Sequence, residues 1–380
     1  MKHQLLYLLA LGLTCGCTHD AEPSPADLVP PEGTPLEIAG VQMGGYAETR
    51  ATYTPFPPAG TASSNYSIGL YCQKADPSDK EQYNYQYIYD SSDSKWYSID
   101  AGVLLMLHGT DTDVYAYHPY KDETTDATIR TKTSPDFGNS YSMGTMVNNH
   151  EFDLKTCYYH PDFDICYGVS KKRNGTPSGK VATFKLDHIM AKFQLTLVRH
   201  KDYPGVCQIK RIYLRHRQAT DPPTKNNFIT EARFDMLTGT WNPPSTMTVY
   251  DYPPDPTVSL SNYAIGPITI TKDKEWNGYD TMTSEQKVET RPILLIPEKI
   301  GPPNNSGSTL LTVEIEVDGR KMQTVLNIGA YGGLICSGQF YKATLIIHGT
   351  DIKVNSVEVA NWEEQTIQNS GKDFEPKPAE

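Results

Sequence analysis

Few residues in this 380-residue sequence have the types and spacing that chemistry requires. Asp187-His188 comes nearest to an acid–base pair, but neighbours on an extended chain project to opposite faces and cannot readily form a dyad. Cys157-x-x-His160 followed by Cys166 offers three metal-ligand types without a fourth at standard spacing. His150-Glu151 opens like a zinc motif and lacks the second histidine four residues on. Asp111-Thr112-Asp113 is an acidic turn able to hold calcium, yet the twelve-residue loop pattern is absent. No G-x-S-x-G elbow, P-loop or G-x-G-x-x-G fingerprint occurs. These absences point away from an enzyme and give no catalytic residue, metal site or cofactor. Asp187-His188 reads better as a strand break than as a reactive pair.

The N-terminus carries a different kind of chemistry. Met1-Lys2-His3 precedes an apolar run, Leu5 to Leu13, and then Thr14-Cys15-Gly16-Cys17. A positive start, a short apolar core and small residues form a secretory signal, and the run is too short to span a bilayer. Gly16-Cys17 resembles the end of a bacterial lipobox, which makes Cys17 the lipidated residue and residues 1–16 the signal peptide. The Pro-rich stretch that follows reads as a tether from the outer membrane. Five of the seven cysteines remain after Cys15 and Cys17, and an odd number cannot all pair. Cys157 and Cys166 are the closest pair in sequence, but scattered buried thiols fit as well.

The elements that must position anything functional are strands. Tyr 25, Gly 28 and Pro 28 supply strand and turn formers, and no long helical periodicity appears, so an all-β architecture is expected. A formal charge of -11 without a basic run excludes nucleic acid as a partner. Leu36–Val41 is a short strand with Leu36 and Ile38 on one face, followed by Glu48-Thr49-Arg50-Ala51. Between Tyr53 and about Val181 short strands alternate with Asp/Ser/Gly/Pro turns, and Lys121–His150 reads as a long loop. Tyr83, Tyr85, Tyr87 and Tyr89 share a strand face; packing explains the row more simply than a sugar-stacking platform. In Phe184–Val198 the apolar parity switches, from Phe184 and Leu186 to Phe193, Leu195 and Leu197. Such a switch means the strand is broken or bulged near His188–Lys192, as expected at a junction between two β domains. Leu310–Val317 and Met322–Leu326 flank Asp318-Gly319, a hairpin signal.

Taken in order, several stretches resemble the Bacteroidetes fimbrillins, the pilins of type V pili. They are the lipobox-like signal, the short strand before Thr49-Arg50-Ala51, Asp113–Tyr120, Leu186–Phe193, Arg291–Pro297 and Ile352–Trp362. The resemblance implies two tandem transthyretin-like Greek-key β-sandwich domains, at 51–183 and 184–365. It also implies a propeptide at 17–50 carrying a removable strand with Leu36, Ile38 and Val41. An Arg-specific protease would cut between Arg50 and Ala51, and a strand of another pilin subunit would fill the gap. The location implied is the cell surface and fimbrium, with the outer membrane reached through the lipid before processing. A host glycan or protein is the implied adhesion partner. The tail, 366–380, is expected to be mobile and offers only a weak strand, so an accessory or tip role is expected as readily as a stalk role. The alternative is a lipid-anchored glycan-binding β-sandwich.

Overall fold

The computed structural model describes residues 32–47, 50–57, 66–72, 82–100, 103–121, 145–147, 150–159, 163–200, 203–205, 207–218, 229–242, 246–247, 250–252, 268–269, 287–290, 292–299, 309–326, 334–360 and 362. Cys17 and the tail lie outside them.

The first and largest sheet has the order β3-β2-β13-β12-β8-β4-β5-β6. Its strands are β2 (Glu37–Ala47), β3 (Arg50–Phe56), β4 (Ser67–Cys72), β5 (Gln82–Asp90), β6 (Lys95–Ser98), β8 (Thr112–His118), β12 (Cys166–Arg173) and β13 (Val181–His188). β1 (Thr34–Pro35) pairs with β7 (Met106–Leu107) beside it. The sheet curls until its edges meet, with Phe56 of β3 stacked on Trp96 of β6 at a centroid distance of 6.2 Å. Inside the curl lies the first core: Leu36, Val41, Met43, Ile68, Leu70, Leu105, Val114, Phe184 and Leu186 are all buried.

Its outer face carries Tyr71, Tyr115 and Tyr117 against Phe152, Leu154 and Phe234 of a second sheet. That sheet has the order β17-β16-β10-β9, with β18 also on β16. It comprises β9 (Thr145–Val147), β10 (Glu151–Lys155), β16 (Ile229–Asp235), β17 (Thr240–Trp241) and β18 (Thr246–Met247). Strands from both sides of residue 184 therefore share a sheet, since β10 pairs with β16 from Glu151↔Asp235 to Lys155↔Glu231.

The remaining strands enclose another core. One sheet has the order β11-β22-β14-β27-β28 with β21 also on β14, built from β11 (Cys157–Tyr158), β14 (Ala191–Arg199), β21 (Lys287–Glu289), β22 (Ile293–Leu295), β27 (Phe340–Ile347) and β28 (Ile352–Ala360). The other has the order β19-β15-β24-β25 with β20 also on β15, built from β15 (Gln208–Gln218), β19 (Tyr250–Tyr252), β20 (Ile268–Thr269), β24 (Thr309–Val317) and β25 (Arg320–Leu326). A small pair, β23 (Glu298–Lys299) and β26 (Leu334–Ile335), stands beside them. Phe193, Leu195, Leu197, Ile212, Val313, Ile315 and Leu345 fill the space between the sheets.

The break expected in Phe184–Val198 is a change of sheet. β13 ends at His188 in the curled sheet and β14 begins at Ala191 in another, with Ile189-Met190 between. Three backbone bonds clamp the crossing: Ile189 N–H to Ile165 O at 3.0 Å, Gly338 N–H to Met190 O at 2.8 Å and Lys192 N–H to Gln339 O at 2.8 Å. The hairpin at Asp318-Gly319 has positive φ at both residues, +46° and +75°, as a primed turn demands. Val103–Leu107 is shorter than its apolar run suggests, forming a strand only at Met106–Leu107. The stretch Lys121–His150, read as loop, contains the short β9.

Candidate functional site

The residues expected to act lie on one hairpin. β2 runs parallel to β13, from Glu37↔Val181 to Met43↔Leu186, and antiparallel to β3, from Val41↔Phe56 to Ala47↔Arg50. Leu36 and Val41 are buried, Ile38 is half-buried against the same core, and Arg50 and Ala51 open β3 opposite Ala47 and Tyr46. The backbone at Arg50 is therefore the first ladder position after the hairpin turn.

Ile38 and Val41 have opposite parity, yet both serve one core. The reason is a bulge. The register steps from Ile38↔Ala182 to Gly40↔Thr183 and leaves Ala39 without an opposite residue. One extra residue restores the inward face, so Leu36 and Ile38 before it and Val41 and Met43 after it all point into the curl. Sequence reasoning missed Met43, which is buried at 5% exposure. Its spacing of two from Val41 was the available signal.

Below the bulge β2 is held by Leu36 N–H to Leu105 O at 2.8 Å, Glu37 N–H to Lys180 O at 2.9 Å and a salt bridge between Lys180 Nζ and Glu37 Oε1 at 2.5 Å. The salt bridge is exposed and adds little. The apolar side chains dominate.

The tyrosine row divides. Tyr87 is buried and its hydroxyl accepts a hydrogen bond from Leu105 N–H at 3.3 Å, and burial pushes its pKa up. Tyr89 packs on Trp96 at 5.4 Å. Tyr85 is half-buried against the core, and Tyr83 is exposed. Asn84, with φ +55°, offsets the strand there. Tyr83 and Tyr85, with Gln86, Asp100, Val103 and Tyr120, line a pocket of about 350 Å³. Three of the large apolar residues exposed among the described residues line it: Tyr83, Ile99 and Val103.

The residues weighed for chemistry end up elsewhere. His188 is buried and pairs with Asp164, its Nδ1 2.9 Å from the carboxylate Oδ1. Cys166 lies beside it with Sγ 3.1 Å from the same nitrogen, so Asp164, Cys166 and His188 are the described residues able to hold a metal together. Lys192 is buried with Nζ over the rings of Tyr159 at 4.0 Å and Phe340 at 4.6 Å. Asp113 accepts hydrogen bonds from Lys171 Nζ and Lys172 N–H. Cys72, Cys166 and Cys207 are buried, and Cys157 and Cys336 are half-buried. Burial raises the Cys207 thiol to about 12, which leaves it inert.

The described residues form an all-β protein whose first strands line a buried core. The chain belongs to the fimbrillin-like family, whose model matches residues 49–362. It is accordingly a pilus subunit of the cell surface and not an enzyme. A comparison with curated proteins finds no match. Among solved structures it is similar to a candidate cell adhesion protein of Bacteroides uniformis, with 13% identity, 85% of this chain and 98% of that chain covered, and a TM-score of 0.47. It is also similar to a fimbrial protein of Bacteroides vulgatus, with 14% identity, 86% and 98% covered, and a TM-score of 0.42. The tip fimbrial protein Mfa3 of Porphyromonas gingivalis, with C-terminal truncation, matches at 12% identity, 79% and 95% covered, and a TM-score of 0.36.

Proposed function

We propose that this chain is an accessory or tip subunit of a fimbrium, exported as a lipoprotein through Cys17 and cut between Arg50 and Ala51. A strand of another subunit then replaces β2. One observation supports this reading above the others. The strand that ends just before Arg50 is an interior strand of the curled sheet, and it carries Leu36, Val41 and Met43 into the core. Losing it leaves β13 without its parallel partner and β3 without its antiparallel one, two rows of backbone groups that another strand can satisfy.

Cutting alone does not open the slot. Burial of three such side chains contributes roughly 2 kcal/mol each, about 6 kcal/mol together. That is a large fraction of the roughly 5–15 kcal/mol that holds a whole domain. The cut strand stays seated until a strand of comparable apolar content displaces it. Phe56, packed on Tyr66 at 5.1 Å and on His118 at 4.6 Å, keeps β3 attached meanwhile.

The test is N-terminal sequencing of the protein recovered from assembled surface fibres. A start at Ala51 is expected. Recovery of chains that all begin at Cys17 overturns polymerisation by this route. In that outcome the chain is a lipid-anchored surface protein, and the pocket at Tyr83 and Tyr85 becomes its working surface. Aromatic faces beside Gln86 and Asp100, with no lysine or arginine among the described lining residues, suit a neutral glycan. Retention on a glycan array, lost in Tyr83→Ala, supports that second reading.

A further inference from the structure

The end of the first core carries a polar cluster that strand exchange does not use. Cys166 of β12 lies directly opposite His188 of β13 on one side and His118 of β8 on the other. Directly opposed residues in a ladder share a face, so His118, Cys166 and His188 form a row across three strands. Asp164, just before β12, closes on this row. The ligand atoms of Asp164, Cys166 and His188 all lie within 4.8 Å of one another, and all three residues are buried.

The contacts are held from outside. Trp362 Nε1–H donates to Asp164 Oδ2 at 3.2 Å, and its ring stacks on the His188 imidazole at 4.2 Å. Such outer partners fix the orientation of a carboxylate and an imidazole around a metal. His118 Nδ1–H donates to the Ser67 carbonyl at 2.8 Å, which anchors the β8 end of the row.

One nitrogen faces two partners here. His188 Nδ1 is within bonding distance of Asp164 Oδ1 and of Cys166 Sγ, yet it carries a single proton or a single lone pair. A proton there serves the carboxylate, and the thiol also reaches the Asp164 carbonyl at 3.8 Å. A divalent cation accepts an electron pair from oxygen, nitrogen and sulfur together. Thiolate with imidazole selects zinc-class ions over magnesium or calcium. Zinc bonds of about 2.0–2.3 Å place ligand atoms roughly 3.3–3.8 Å apart, so His188 Nδ1, 2.9 Å from Asp164 Oδ1 and 3.1 Å from Cys166 Sγ, needs to draw back by only a few tenths of an ångström.

We propose that Asp164, Cys166 and His188 bind one zinc-class divalent ion, with the fourth position filled by water. Binding deprotonates the thiol and releases that proton to solvent. The ion ties β12 to β13 at His188, the far end of the strand that lines the β2 slot. It stiffens the wall that stays behind when β2 leaves.

The experiment titrates the metal-free full chain with Co²⁺ alone and records the thiolate-to-cobalt absorption band. A band saturating at one equivalent is expected, displaced by Zn²⁺, absent in Cys166→Ser and at least tenfold weaker in affinity in Asp164→Asn and His188→Gln. Circular dichroism of each variant separates lost binding from lost folding. Zn²⁺ is expected to raise the unfolding temperature of the wild type and not of Cys166→Ser. A wild type that gives no band, or a band that survives in Cys166→Ser, overturns the proposal. These readouts do not depend on cleavage or polymerisation.

Discussion

His118 sets an acid limit on the first core of the fold. Burial lowers its pKa from the ordinary 6.5 to about 4, with Lys121 and His188 adding to the depression and Asp164 opposing it. The folded state therefore binds fewer protons than the unfolded chain between those two values, and stability rises with pH across that window. Stability from this group is complete above about 6.5 and is lost progressively as pH falls to about 4. The full loss is at most about 3.5 kcal/mol, from roughly 1.4 kcal/mol per unit. Urea unfolding of metal-free protein at pH 7 and pH 4.5 measures it. His118→Asn is expected to flatten the difference between the two midpoints relative to wild type; equal pH dependence in both proteins refutes the assignment. Little of this was legible in the sequence. His118 belongs to a strand that alternation identifies. Its burial, however, depends on Phe56, and the pairing of His188 depends on Asp164, 24 residues away. Partners at such separations leave no periodic trace.

At the scale of elements, the local signals read well and the long-range pairings did not. The parity switch in Phe184–Val198 located the passage from β13 to β14, because a core strand cannot change parity without a break or a bulge. Asp318-Gly319 marked the hairpin, because only a primed turn matches the twist of the strands it joins. Alternation says which face a residue takes but not which strand lies beside it, so the parallel pairs β2–β13 and β14–β27 were invisible. The same limit hid the pairing of β10 with β16 across residue 184. Asp318 does more than turn the chain. Its carboxylate accepts from Tyr203 O–H at 2.8 Å, Cys207 N–H at 3.0 Å and Gln208 N–H at 2.8 Å, which fastens the β24–β25 turn to the start of β15. Asp318→Ala removes these bonds and puts a methyl residue at positive φ. A loss of about 2 kcal/mol is expected. Asp318→Asn, which keeps an acceptor and tolerates that backbone, is expected to lose less than half as much. Equal losses for both, measured by urea denaturation, contradict the clamp.

For the whole molecule, the proposed strand exchange makes the bulge at Ala39 decisive for what can occupy the place of β2. Leu36, Ile38, Val41 and Met43 reach one core at spacings of two, three and two, and the middle step depends on one unpaired residue. A replacement strand without the extra residue presents only half of its apolar side chains inward, because a one-residue slip reverses every face beyond it. Two misplaced side chains cost about 4 kcal/mol at roughly 2 kcal/mol each, which is about a thousandfold in affinity. The same spacing recurs in β28 at Ile352, Val354, Val357 and Val359, where the register shift leaves Asn355 unpaired. A chain beginning at Ala51, mixed with a peptide of residues 34–47, is therefore expected to bind it and unfold at a higher temperature. A peptide lacking only Ala39 is expected to bind about a thousandfold more weakly. A peptide of the β28 sequence, with its own extra residue in the matching place, is expected to compete with 34–47. If deletion of Ala39 leaves affinity unchanged, the slot does not read the bulge, and backbone pairing alone selects the incoming strand.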